Sequence, residues 1–439
     1  MEKAPDQAIE KANHSSANRA PDEVWALRPR WVALRDGTWG EQLTITIRGS
    51  QIVALGREPA APLCRVVDLP DAVVLPGLIN AHTHLEFGGR SEPIPAPDRS
   101  FAGWILALVE QRRAALRELS EEERERRRRV DTALAVDQLT ASGVTTIGEI
   151  ARPGWPESTV DGPCATVVFL ELLGLDETRI DGLLAEARAH LARPQIGDRW
   201  HAGLSPHAPY TVHPRLLESA CGLSRETGCP IAMHLAESWD ELELLASHSG
   251  PLVETLRELD AWNPASLPRG LRPIDYLKTL ATAVRSLVVH GNFLDEPEWR
   301  FLAECRDRMS VVYCPRTHDA FLSSRYPLLQ MLDRGVRVTL GTDSRATNPD
   351  LDFLAELRWV AARFPELAPA RLLELATVDA AEALGRIGEG RIEGGQTANL
   401  TIVGGERANR EPWFWLHEPP EKVRIVVQGR MSNGWEAAG

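Results

Sequence analysis

Short, nearly all-apolar runs recur through the middle of this 439-residue chain, each separated from the next by longer stretches with helical spacing. They fall at residues 144–147, 167–170, 231–233, 287–289, 311–313 and 336–340. A strand with no apolar/polar alternation is buried on both faces, as in a parallel sheet covered by helices. With the runs at 72–75 and 200–204 the tally is about eight, the number that closes a TIM-type (β/α)8 barrel. The two ends of the chain have a different texture. Between 24 and 69, and again after the glycine-rich stretch 388–395, short alternating runs meet turn residues, as in the hairpins of a small sheet. The expected organisation is α/β: a barrel over 76–387, a composite β-sandwich domain from 23–75 plus 388–436, and a disordered polar tail over 1–22. No internal repeat is evident.

Functional groups in such barrels sit at the C-terminal ends of the strands. The histidines follow that rule. His82 and His84 come after an apolar run, His207 after Ser205-Pro206, His234 after Ile231-Ala232-Met233, and His290 after Leu287-Val288-Val289. Asp343 follows Leu340-Gly341-Thr342. A lone histidine after a strand is usually structural. Several strand ends converging on one mouth with the same imidazole and carboxylate chemistry are harder to explain that way. In an extended segment, residues two apart face the same side, so His82 and His84 could grip one ion.

The string Pro76-Gly77-Leu78-Ile79-Asn80-Ala81-His82-Thr83-His84-Leu85-Glu86 closely resembles the first-strand signature of the amidohydrolase superfamily. The resemblance extends to His234-Leu235-Ala236-Glu237, Val289-His290-Gly291, Cys314-Pro315 and Gly341-Thr342-Asp343-Ser344, and it covers about 24–427. The flanking sheet resembles the small β-domain of the cytosine-deaminase and triazine-hydrolase branch. The resemblance implies that His82, His84, His234 and Asp343 hold one divalent metal. Imidazole and carboxylate donors suit Zn²⁺ first and Fe²⁺ second. It implies that Glu237 shuttles protons, that His290 orients or deprotonates water, and that Asp343 serves as both ligand and base. The two-metal branch has a carboxylated lysine at the fourth strand. This chain has Ser205-Pro206-His207 there, which favours one metal, and the resemblance implies that His207 contacts the substrate, as that histidine does in similar deaminases.

Substrate contacts are less constrained. Glu86, two residues after the metal pair, could face the pocket, and His-Thr-His-Leu-Glu resembles aminodeoxyfutalosine deaminases in particular. Phe101 and Trp104 could stack on a heterocycle or pack beneath a loop. Arg316 could meet an anionic group, or form an ion pair within the fold. His318 stands where similar enzymes carry an amide. The roles of His318, Glu149 and Glu171 stay open.

The expected activity is hydrolytic deamination of an amino-substituted ring, with a purine nucleoside-type substrate such as aminodeoxyfutalosine or S-adenosylhomocysteine first. Within hydrolases the alternatives are removal of another leaving group, as from a chlorotriazine, or opening of a cyclic amide. An inactive barrel acting as a binding protein is the alternative of another class. The other zinc deaminase design pairs His-x-Glu with Pro-Cys-x-x-Cys. His84-Leu85-Glu86 imitates its first half, but no Cys-x-x-Cys occurs among the six cysteines. Their scatter reads as a reduced, cytoplasmic protein. A net charge of −13 argues against a nucleic-acid partner. The arginine run 124–129 is interleaved with glutamates and reads as a solvated helix face. No segment is long and apolar enough to suggest a membrane span. The expected partner is thus a small heterocyclic substrate, with a homodimer as the assembly considered.

Overall fold

The computed structural model describes residues 23–96, 99–156, 159, 162–194, 199–322 and 324–432. The tail expected to be disordered, 1–22, lies outside the described residues.

Five strands open the chain: β1 (Val24–Ala33), β2 (Trp39–Glu41), β3 (Thr44–Arg48), β4 (Gln51–Gly56) and β5 (Arg65–Pro76). Eight follow: β6 (Leu78–Thr83), β7 (Val144–Ala151), β8 (Ala165–Leu172), β9 (Trp200–Pro206), β10 (Ile231–Leu235), β11 (Ser286–His290), β12 (Met309–Tyr313) and β13 (Val338–Leu340). Three close it: β14 (Leu400–Gly404), β15 (Lys422–Val427) and β16 (Arg430–Met431). The middle eight lie side by side in sequence order and every pairing is parallel. The first five and last three form a separate mixed sheet.

The apolar runs explain the barrel. Its interior is filled from successive strands by Ile79, Val167, Phe169, Ala232, Leu287, Val289 and Val312, packed with Ala380 and Leu384 of the helix Val378–Leu384. The outer faces of the same strands join the much larger core shared with the surrounding helices. A third apolar cluster, including Trp25, Leu27, Ile45, Val74 and Leu400, belongs to the terminal sheet. The helix Glu121–Ala141 carries the charged run. Ser120 and Glu123 form a capping box, three glutamates occupy its first turn, and most of that run is exposed.

One strand assignment needs correction. Residues 72–75 are not a barrel strand. They end β5, which pairs in parallel with β1 and antiparallel with β14, Leu75 facing Thr401. The first barrel strand is β6, only two residues on. Both runs are apolar, so burial preference could not separate them. The break lies at Pro76-Gly77, where the Gly77 N–H turns to the Asn399 carbonyl (2.8 Å).

The seam between β13 and β6 places the site. The Thr342 and Asp343 N–H groups donate to the His82 carbonyl (3.1 and 3.2 Å). Asn80 stitches the same seam, donating to Thr342 Oγ1 (2.8 Å) and accepting from the Thr342 N–H (3.1 Å). Gly341 permits this approach, since a Cβ there would lie 2.9 Å from the His82 carbonyl oxygen. Closing the barrel therefore carries Asp343 to the histidine pair.

Candidate active site

His82 lies within β6 and His84 follows it, while His234 is the penultimate residue of β10. Their ligand nitrogens all lie within 4.8 Å of one another. Asp343 Oδ1 is 3.5 Å from His82 Nε2 and 3.7 Å from His84 Nε2. Donors at about 2.1 Å around a tetrahedral ion stand roughly 3.4 Å apart, so this spacing suits one first-row divalent metal. His82 supplies an independent test. Its ring is fully buried, yet among the described residues neither ring nitrogen has a hydrogen-bond partner. Buried polar atoms are nearly always satisfied, and a metal would satisfy one of these.

The protonation states agree. Burial, reinforced by neighbouring imidazoles, pushes His82 and His84 well below the usual histidine range. Burial and the adjacent His207 bring His234 down to about 4. All three are neutral near pH 7 and can offer lone pairs. His234 Nδ1 faces the His207 carbonyl (3.0 Å) and must donate to it, which leaves Nε2 as the lone-pair nitrogen. Asp343 Oδ2 accepts from Thr347 Oγ1 (2.8 Å), leaving Oδ1 facing the histidines. Asp343 and His290 both have left-handed backbones, with φ of 55° and 69°. Such strain in non-glycine residues clusters at functional sites.

His290 ends β11 with its ring centroid 5.5 Å from that of His234. Its Nε2 is 3.3 Å from Glu237 Oε1. Burial, then the charges of Asp343 and Glu241, push the Glu237 carboxyl well above the usual carboxylate range. A carboxyl raised in this way is better suited to proton transfer than an ordinary carboxylate.

The backbone of Glu237 is fixed by side chains. Its N–H donates to Glu241 Oε2 (2.9 Å), and the preceding Ala236 N–H donates to Glu241 Oε1 (2.9 Å). Its carbonyl accepts from Asn292 Nδ2 (2.8 Å), and Asn292 Oδ1 is 3.0 Å from His318 Nδ1. The sequence reading missed Glu241 and Asn292. Ser238-x-x-Glu241 was a visible signal, since it has the form of a capping box before a helix. Asn292 carried no such signal.

A cavity of about 240 Å³ opens beside Glu237, walled by Phe101, Trp239, Asn292, His318 and Phe321 among others. Of the expected substrate contacts, none of His207, Glu86, Trp104 and Arg316 is among the residues that line it. His207 is at the cluster, its ring centroid 5.1 Å from that of His234, with Nδ1 against Thr211 Oγ1 (2.7 Å). Glu171, left open by the sequence, lies 3.9 Å from His207 Nε2. Glu149 instead accepts the Leu85 N–H (2.9 Å) and supports the segment just after His84. Glu86 is ion-paired with Arg112 (2.6 Å) and Arg152 (2.5 Å). Burial alone would raise its carboxyl, but the two guanidinium groups outweigh that and hold it below the usual range. Trp104 is one layer back from the cavity. Its Nε1 donates to the Ala346 carbonyl (3.3 Å) and its ring packs on Phe101 and Phe321.

Arg316 is not brought to the cluster. It is the second residue of the helix Pro315–Phe321, where its guanidinium bonds Glu356 Oε1 (2.7 Å) and Asp350 Oδ1 (2.7 Å). Glu356 is fully buried and Arg316 nearly so. The expected contact with an anionic substrate gives way to an ion pair within the fold, because Glu356 takes the Nε–H while Asp350 and the Asp352 carbonyl take Nη2. Removing one partner of a buried pair costs about 3–5 kcal/mol, so Arg316→Ala should lower unfolding free energy by about 3 kcal/mol or more. Urea denaturation measures this. An unchanged midpoint together with a KM rise confined to anionic substrates would return Arg316 to the pocket.

The chain belongs to the amidohydrolase family, whose model matches residues 73–431. A 5-methylthioadenosine/S-adenosylhomocysteine deaminase of Pyrococcus furiosus is 28% identical over 424 residues, covering 89% of each chain. An aminodeoxyfutalosine deaminase of Deinococcus radiodurans is 29% identical over 348 residues, covering 75% of each. Among solved structures, Helicobacter pylori aminofutalosine deaminase in complex with methylthio-coformycin superposes with a TM-score of 0.78 at 24% identity, covering 93% of this chain and all of that one. Among the described residues no helix is long and apolar enough to cross a membrane.

Proposed function

We propose that this protein is a metal-dependent hydrolase that deaminates a purine nucleoside-type substrate. The observation that carries the reading is the meeting of His82, His84, His234 and Asp343 with the Glu237–His290 pair at one barrel mouth. Relatives named for deamination of 5-methylthioadenosine, S-adenosylhomocysteine or aminodeoxyfutalosine support the substrate class. In this reading the three histidines and Asp343 hold one divalent ion, Zn²⁺ before Fe²⁺, and such an ion acidifies water towards neutral pH.

The chain's own groups do the rest. Asp343 and His290 are placed to take the water's proton. Glu237, with its raised pKa, delivers a proton to the ring nitrogen beside the attacked carbon. The aromatic walls of the cavity beside Glu237 suit a flat ring, and His207, with its ring centroid 5.1 Å from that of His234, is assigned to contact the ring from the histidine cluster. The net reaction exchanges an exocyclic amine for oxygen, with water consumed and ammonia released. Six free thiols are consistent with a cytoplasmic setting.

Ammonia release from 5′-methylthioadenosine, S-adenosylhomocysteine and aminodeoxyfutalosine, measured with metal-replete protein, tests this. At least one should be turned over with kcat/KM above about 10⁴ M⁻¹ s⁻¹, the lower end of ordinary enzyme efficiency. Inertness toward all three, with chloride released from a chlorotriazine or a cyclic amide opened, would replace this reading.

A further inference from the structure

We infer that Glu241 is a positioning residue, which together with Asn292 and His318 fixes the peptide of Glu237 so that its carboxyl meets the reacting ring. The inference rests on the proton-shuttle role proposed for Glu237.

The chain leaves β10 through an awkward turn. Ala236 has φ of 54°, a left-handed conformation that a non-glycine residue seldom adopts unaided. Both N–H groups of this turn, those of Ala236 and Glu237, point away from any sheet partner and into one carboxylate, each taking a separate oxygen at 2.9 Å. Glu241 is fully buried. Its own N–H donates to Ser238 Oγ (3.1 Å), which sets the first turn of the helix Trp239–Ser247 and with it the direction of the side chain. Burial raises the Glu241 carboxyl to about 7, against the pull of these N–H groups. A fully buried carboxyl is costly to keep, and an apolar residue would stabilise the helix packing as well. The group is explained by what it holds.

The opposite face of the same peptide is also held. Asn292 Nδ2 donates to the Glu237 carbonyl, which turns Asn292 Oδ1 towards His318 Nδ1 at 3.0 Å. On its other side the ring places Nε2 2.9 Å from the Ser324 carbonyl, and the single N–H of the neutral imidazole serves one of these two oxygens. Glu237 thus has its N–H and its C=O both bound by side chains, which leaves only its own rotamer free. Catalytic groups tolerate little displacement, and a shift of about 1 Å can cost a hundredfold in rate.

Glutamine at 241 keeps the size but has one acceptor oxygen. Its amide would present N–H to a backbone N–H, so one side of the turn must move. In metal-replete full-length protein, Glu241→Gln should lower kcat about 30-fold with KM and metal content nearly unchanged. Rates are read as ammonia release from whichever of 5′-methylthioadenosine, S-adenosylhomocysteine and aminodeoxyfutalosine is turned over fastest. The decisive comparison is a double-mutant cycle. If Glu241 acts through Glu237, then in the Glu237→Gln background the Glu241→Gln change should add less than about threefold, because the group it positions is already silent. Amide exchange gives a readout independent of activity: residues 234–241 should exchange faster in Glu241→Gln while the barrel strands keep their protection.

Losses that multiply in the double variant, or a change dominated by KM or metal loss, would overturn the inference and leave the role of Glu237 standing. A Glu237→Gln protein with the wild-type rate would instead overturn the proton-shuttle reading, and this inference with it. Should Glu241→Gln fail to fold, Asn292→Ala removes the hold on the carbonyl side and is run through the same cycle. A loss that vanishes in the Glu237→Gln background then supports the inference, and losses that multiply overturn it.

Discussion

Glu237→Gln is expected to retain its metal and to lose about a hundred- to ten-thousand-fold in kcat, the usual contribution of a general acid–base group. Glutamine matches the shape of the side chain and can still accept a hydrogen bond through its oxygen. It cannot carry a proton between water and ring. The residue lies outside the trio of metal-spaced histidines, and its backbone is held by Glu241 and Asn292 whatever its side chain is. Metal content, the fold and KM should therefore stay close to those of the parent, and the loss should fall on kcat. Metal analysis beside steady-state ammonia release checks this. Near-normal turnover in a metal-replete variant would remove Glu237 from the reaction.

Asp343→Asn and His234→Ala should each abolish stable metal binding and reduce turnover to background. Changes in residues that merely support metal ligands already cost about 10- to 100-fold in affinity, so losing a ligand should cost at least about a hundredfold. Asp343 brings a carboxylate to 3.5 Å from His82 Nε2 and 3.7 Å from His84 Nε2, and asparagine removes that charge. His234 supplies the third imidazole, and its tautomer is already set by the His207 carbonyl. Elemental analysis after gel filtration reads the result. Full occupancy in either variant would mean that the cluster is not where the metal sits.

The sequence carried the architecture well because burial on both faces writes itself into composition. Seven of the eight runs assigned to the barrel are barrel strands, and the eighth, 72–75, failed where two apolar strands abut across Pro76-Gly77. The histidines and Asp343 were legible for a related reason: strand ends converge, so residues hundreds of positions apart in the chain could be grouped without knowing the helices between them. Contacts made by helices were not legible. Arg316 looked like a pocket residue because it follows β12, yet its partners Asp350 and Glu356 come from a segment that sequence spacing does not bring near. The same applies to Glu86, whose carboxylate is met by Arg112 from one helix and by Arg152 from just past the end of another strand. Asn292 escaped notice because it touches a backbone, and a backbone partner leaves no residue type to look for; the Ser238-x-x-Glu241 pattern pointed to a helix start and not to a hold on the turn before it.

One divalent ion in this four-residue cluster should drive the release of ammonia. Protein stripped with a chelator and titrated with Zn²⁺, with initial ammonia release measured at each step, tests this most directly. The expected result is negligible release from the stripped protein, a linear rise, and a plateau at about one equivalent per chain, as a tightly held three-histidine, one-carboxylate site requires. Ammonia released at the full rate without metal, or activity that appears only at a second equivalent, would contradict it.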